Sequence, residues 1–266
     1  MKKISIFAVA LAAVAFTSCG GNKSANADEQ AQEKSFEQEQ VEAKIKLELD
    51  SLSAELGRLD KVPFLQEGEN GVQLTAEEKQ VKPDYLLSPA VAENATTLAE
   101  KYRALAALCV DKQIASMYEM PTDEYEAAIS KLAADIDDPS FKEIDDVSNI
   151  HETSQKLYDA MNANGRINYF WQMVAGSLIE EFYVASQNID KFVTVFDDDS
   201  ATATTFCIVL LNEATERLAS YDPEFETVAK VAEALEPLDA INVEQLKQQL
   251  EEAKENVAKT RNELIK

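Results

Sequence analysis

The chain has 266 residues, of which 49 are Asp or Glu and 25 are Lys or Arg, giving a formal net charge of −24 with a single histidine. Glycine and proline occur only seven times each, against about 19 and 13 at average usage, which excludes a turn-rich β-sandwich. The acid excess excludes a nucleic-acid partner, one histidine and three cysteines exclude a His-rich zinc site, and a hydrophobic content of 45% leaves an acidic, mostly helical body with a real core.

Lys2 and Lys3 precede the apolar run Ile4 to Phe16, which is too short to cross a bilayer and has the length of a signal h-region. Thr17-Ser18-Cys19-Gly20-Gly21 follows directly. This layout resembles a bacterial lipoprotein signal, in which the chain is cut before Cys19 and that cysteine is acylated; Phe16 stands where Leu is usual. The alternative is an ordinary secretory signal cut after small residues. Loss of residues 1–18 removes Lys2 and Lys3 and no acid, moving the net charge from −24 to −26. Such a body is repelled by anionic head groups and hangs from its acyl chains rather than lying on the membrane. Residues 19–35 are small and polar and read as a flexible tether. No acidic cluster follows Cys19, which points to the periplasmic face of the outer membrane, with surface exposure as the alternative.

Residues 36–62 carry Ile45, Leu49, Leu52, Leu56 and Leu59 in a 4-3-4-3 rhythm, an amphipathic or coiled-coil-like helix. Residues 63–89, broken by Pro63, Gly68, Gly71, Pro83 and Pro89, read as an extended connection. It contains one short helix, Ala76 to Val81, capped by Thr75. Residues 90–266 form the bundle domain, with helices expected over about 90–119, 123–136, 146–164, 167–189, 201–221, 224–236 and 243–265. Thr122, Gly165, Pro223 and the pair Asn242 and Gln245 supply the expected helix ends. Phe192 to Phe196 is β-like by composition but has no partner strand, and is kept helical or irregular. The fold class is therefore all-α, a bundle of about seven or eight helices. Similar runs into Pro121 and Tyr125, and into Pro223 and Phe225, leave open a pair of pseudo-repeated helical hairpins or chance likeness between amphipathic helices.

The segment 167–189 is apolar around nearly its whole circumference and is expected at the centre of the body. Gly176 inside it points to the close approach of another helix. Trp171, Tyr169 and Tyr183 are candidates for a pocket wall, although aromatic residues at helical spacing are usually core. Of Glu180-Glu181 one acid is a candidate to point inward, which would mark a site; the alternative is a narrow exposed edge carrying both. His151 sits in Ile150-His151-Glu152-Thr153 without a visible nucleophile and reads as a surface residue. Cys109 and Cys207 read as buried hydrophobes, with a disulfide as the alternative. The acid clusters at Asp135, Asp137 and Asp138, at Asp145 and Asp146, and at Asp197, Asp198 and Asp199 precede helices and read as caps or solvated faces. None has EF-hand spacing, so no metal and no cofactor is assigned.

The run Gly176-Ser177-Leu178-Ile179-Glu180-Glu181-Phe182-Tyr183-Val184-Ala185-Ser186-Gln187 resembles a pattern of all-helical, lipid-anchored lipoproteins of Bacteroidetes whose function is unknown. It departs from that pattern at Ser177 and Leu178. The resemblance implies the fold and the address and brings no activity. The expected function is a non-enzymatic binding or scaffold module of the cell envelope, joined to the membrane through Cys19 and facing an envelope protein partner. Two alternatives stand beside it: a ligand-binding lipoprotein with an apolar pocket beside helix 167–189, and a hydrolase with an unrecognised carboxylate pair.

Overall fold

A computed structural model describes residues 71–143, 150–219 and 222–265, with the isolated positions Ala43 and Leu47. The expected signal, Cys19, the expected tether and helix 36–62 apart from Ala43 and Leu47, and Asp145 and Asp146 lie outside the described residues, as does the side chain of His151. The described residues form α-helices and short 3-10 turns with no strand, the all-α bundle expected from the composition.

Ten helices follow in order: α1 (Ala76–Gln80), α2 (Val91–Asn94), α3 (Leu98–Met117), α4 (Asp123–Ile136), α5 (Ile150–Ala163), α6 (Ile167–Gln187), α7 (Ile189–Phe192), α8 (Asp198–Leu218), α9 (Phe225–Leu235) and α10 (Val243–Leu264). Local chemistry sets most of their ends. Thr75 and Glu78 close a reciprocal capping box on α1, and Asp197 with Ser200 does the same on α8. Asn242 accepts from the Gln245 amide at the start of α10, while the Gln245 side chain reaches back to Ile241. Gly165 has φ of +68°, the left-handed conformation its place after α5 required.

Several ends differ from expectation. Helix α8 runs over Asp198–Leu218 rather than 201–221, because Asp197 and Ser200 cap it early. The first long helix starts at Leu98 and not near residue 90, because Thr97 and Glu100 form a capping box that the run of alanines hides. Thr122 adopts helical angles and makes no capping bond; its hydroxyl donates to Glu126 instead. Pro223 lies before the first turn of α9 rather than within it. The β-like run 192–196 continues α7 into a 3-10 turn at Val193–Val195.

Helix α6 is the centre of the body. Every residue from Phe170 to Phe182 is buried, and the helix packs against α3, α5, α8, α9 and α10. Its closest neighbour is α3, which runs in the same direction: Tyr102 meets Tyr169, Arg103 meets Gln172, and Asp111 lies by Glu180. Gly176 permits this contact. A Cβ there would lie 2.5 Å from the Arg103 carbonyl oxygen and 2.8 Å from its Cα, both backbone atoms that cannot swing aside. The α3–α4 and α8–α9 pairs are both helix–turn–helix units with a buried aromatic, Tyr125 or Phe225, at the start of the second helix. Cys109 and Cys207 are buried thiols in different helices, α3 and α8.

Candidate functional site

The C-terminal half of α6 carries a charge into the core. Glu180 is fully buried, and so is its neighbour Glu181, whose Oε1 accepts from Ser177 Oγ at 2.5 Å. A narrow exposed edge carrying both acids is therefore not what the fold provides: α10, α8 and α7 close over that side of the helix. Arg261 of α10 binds Glu180 as a two-toothed fork, with Nε to Oε2 and Nη2 to Oε1 both at 2.8 Å. Its other donors are also used: Nη2 donates to the Tyr85 carbonyl at 3.2 Å and Nη1 to Asn262 Oδ1 at 3.5 Å. The guanidinium lies 4.2 Å from the centroid of the Tyr183 ring, a cation–π contact strengthened by exclusion of water.

A second carboxyl completes the cluster. Asp111 of α3 is fully buried and accepts from the Leu87 amide through Oδ2 at 2.6 Å. Its other oxygen, Oδ1, has no hydrogen-bond partner among the described residues, and its carboxyl lies under the influence of the Glu180 charge. Two carboxylates facing one guanidinium leave one negative charge too many for a dry interior. Burial, then the neighbouring Glu180 charge, pushes Asp111 far above the ordinary aspartate range. Burial raises Glu180 as well, against the pull of Arg261. The raised pKa favours a protonated Asp111, whose O–H is a donor that a carboxylate lacks.

This arrangement has the elements of a carboxyl–carboxylate pair capable of proton transfer. It lacks access, since neither carboxyl has any exposed surface. What it does is fasten. The segment 81–90, which has no regular structure, is held by Asp111 at the Leu87 amide, by Tyr125 Oη at the Leu87 carbonyl (2.9 Å), by Arg261 at the Tyr85 carbonyl, and by Lys82 reaching the Tyr118 carbonyl.

The four residues proposed for a pocket wall do not meet. Glu180 and Tyr183 are joined through Arg261. Tyr169 stacks on Tyr102, centroids 4.8 Å apart, beside the buried bond from the Tyr102 hydroxyl to Asp138. Trp171 is fully buried and meets Phe170 edge-on at 5.4 Å, with no partner for its indole nitrogen. Trp171 and Glu180 are nine residues apart, which on a helix means opposite faces and about 13.5 Å of axis. Acids read as caps divide by position: Asp197 caps α8 and Asp198 accepts from the Val243 amide, but Asp138 is buried between Tyr102 and the Ser140 amide.

Sequence reasoning missed Asp111, Arg261, Arg103 and Gln172. A signal existed for the first two. Asp111 lies three residues after Leu108 and three before Ile114, and Arg261 lies four after Val257 and three before Leu264, so both sit on apolar stripes where a charge needs a partner. Among the described residues no group of three or more His, Cys, Asp or Glu side chains is gathered to hold a metal. No helix of the described residues is long and apolar enough to cross a membrane. No protein family, curated protein or solved structure matches the chain.

Proposed function

We propose that this protein is a lipid-anchored component of a Gram-negative cell envelope, held through Cys19 at the outer membrane on its periplasmic face. There it acts as a non-enzymatic binding or scaffold module for an envelope protein partner. The observation that carries the functional half of this reading is the fate of the reactive groups on α6. Glu180 is neutralised by Arg261, Trp171 and Tyr169 are packed against other rings, and the space beside Glu181, Phe182 and Leu250 is about 10 Å3, room for one water at most. A core committed in this way gives a rigid body, and recognition then falls to its helical surface and to the strapped segment 81–90. The address rests on the n-region, the thirteen-residue apolar run and the small residues before Cys19.

The anchor is tested by metabolic labelling with palmitate. The wild type incorporates label and fractionates with the outer membrane, whereas Cys19→Ser is unlabelled and leaves the membrane fraction. Photo-crosslinking in cells, from probes placed along exposed positions of α9 and α10, tests the module. Discrete adducts at neighbouring positions support it, and the absence of any adduct or self-association removes the scaffold reading.

A further inference from the structure

A cavity of about 250 Å3 opens where the end of α2, the first turns of α3, α9 and the end of α10 meet. It lies toward the N-terminal end of α6 from the Glu180 cluster, at the level of Gln172 on the same α3-facing side. At roughly 30 Å3 per water it has the room of about eight waters. Arg103 lines it, and Arg103 is 5% exposed. Its Nη1 donates to Gln172 Oε1 at 2.5 Å, a neutral acceptor, and its Nε has no partner among the described residues.

No carboxylate lies within ion-pair distance of this guanidinium among the described residues. The nearest acids are occupied or distant. Glu100 lines the same cavity, but its Oε2 accepts from the Thr96 amide at 2.8 Å, the Thr96 hydroxyl at 2.7 Å and the Thr97 amide at 2.9 Å. Glu263 faces Lys230 across 3.9 Å, and Glu100, then Glu224, act on Arg103 through space without an ion-pair contact. A desolvated cation whose counter-charges act only at a distance is a costly arrangement for a protein interior. Here burial is the main influence on the Arg103 guanidinium, and it disfavours the charge.

We propose that the Arg103 cavity binds a small oxyanion, a carboxylate or phosphoryl group of a compact solute. Arg103 supplies its Nη2 donors inside, since Nη1 is held by Gln172 and Nε is enclosed; Lys230 is the second cation at the mouth, and Thr227 and Asn94 form the polar wall. A guanidinium nitrogen makes a charge-assisted hydrogen bond to an oxygen of such a group, and the recessed position limits competing water. Strong overall acidity does not oppose this, because the interaction is short-ranged and screened from surface charge at physiological salt. The site does not rest on the lipid anchor.

The test is calorimetric titration of the full chain, purified in detergent, with sodium succinate and separately with inorganic phosphate, each balanced with sodium chloride to constant ionic strength. Saturable binding with a dissociation constant of order 1 mM or tighter by one of the two is expected, together with a melting temperature that rises with its concentration. The succinate arm alone assigns a carboxylate ligand, and the phosphate arm alone assigns a phosphoryl ligand. Arg103→Met should weaken binding at least about tenfold, Arg103→Lys should weaken it because a shorter ammonium cannot hold Gln172 and the ligand at once, and Lys230→Ala should weaken it less. If Arg103→Met does not fold, Arg103→Lys and Lys230→Ala carry the test. Failure of both anions to saturate, or equal binding by the wild type and the Arg103 variants, overturns the proposal.

Discussion

Arg103 and Arg261 are nearly equally buried, at 5% and 7% exposure, and both reach α6, yet they meet opposite surroundings. Arg261 finds a carboxylate fork, a backbone carbonyl and an aromatic face, and a second carboxyl held neutral nearby. Arg103 finds one amide oxygen and an open cavity. The difference separates a charge that is part of the structure from one that is available. Arg261 closes its cluster and ties α3, α6, α10 and the segment 81–90 together. Arg103 lines an open cavity with Nη1 held by Gln172 and Nε enclosed, which leaves Nη2 for a solute.

If that contrast is right, removing the two arginines must have unequal consequences. Arg261→Met strands the Glu180 charge in a dry interior and should cost about 3–5 kcal/mol, the range for breaking a buried pair from one side. Urea denaturation reads it, and a loss below about 1 kcal/mol would mean the pair adds little. Gly176→Ala comes next. The helix preference of alanine offers about 1 kcal/mol, but the new Cβ would press into the Arg103 backbone. Overpacking of about 1–3 kcal/mol or more should prevail, with a lowered melting temperature.

The effect of Asp111→Asn depends on pH. Because the folded aspartyl pKa lies far above its unfolded value of about 3.9, the folded state holds a proton that the unfolded state releases. This group's stability is complete below pH 4 and declines as pH rises toward the folded pKa, by up to about 1.4 kcal/mol per pH unit. Asn cannot titrate, yet it keeps an acceptor for Leu87 and a donor for Glu180. The melting temperature of the variant should therefore fall less between pH 5 and pH 8 than that of the wild type, and meet or exceed it at pH 8. The repulsion among surface acids is common to both chains, so parallel curves would place the proton elsewhere. The smallest effect belongs to Arg103→Met, which should stay within about 1 kcal/mol of the wild type, because no charge is orphaned by its loss. A loss as large as that of Arg261→Met would erase the distinction between the two sites.

The boundaries of α4, α6 and α10, the C-terminal end of α5, the left-handed Gly165, the Thr75 cap and the burial of α6 were legible in residue order. So was the meaning of Gly176, since glycine inside an otherwise apolar helix carries a helix-propensity cost unless another backbone comes close. The candidate site was half legible. Glu180 stood out as an acid on an apolar helix, while the grouping of Trp171 and Tyr169 with it failed, because helical rotation puts Trp171 and Glu180 on opposite faces.

The remaining division follows from range. Caps, turns and apolar stripes are settled by residues three or four apart, and these are written in any short window of the chain. Whether a buried arginine meets a carboxylate is settled by partners 81 residues apart for Arg261 and Glu180, and whether it meets only an amide by partners 69 apart for Arg103 and Gln172. No local pattern encodes those meetings. Composition made the protein acidic and helical, and the packing of α3 and α10 on α6 made one arginine a fastening and left the other facing an open cavity.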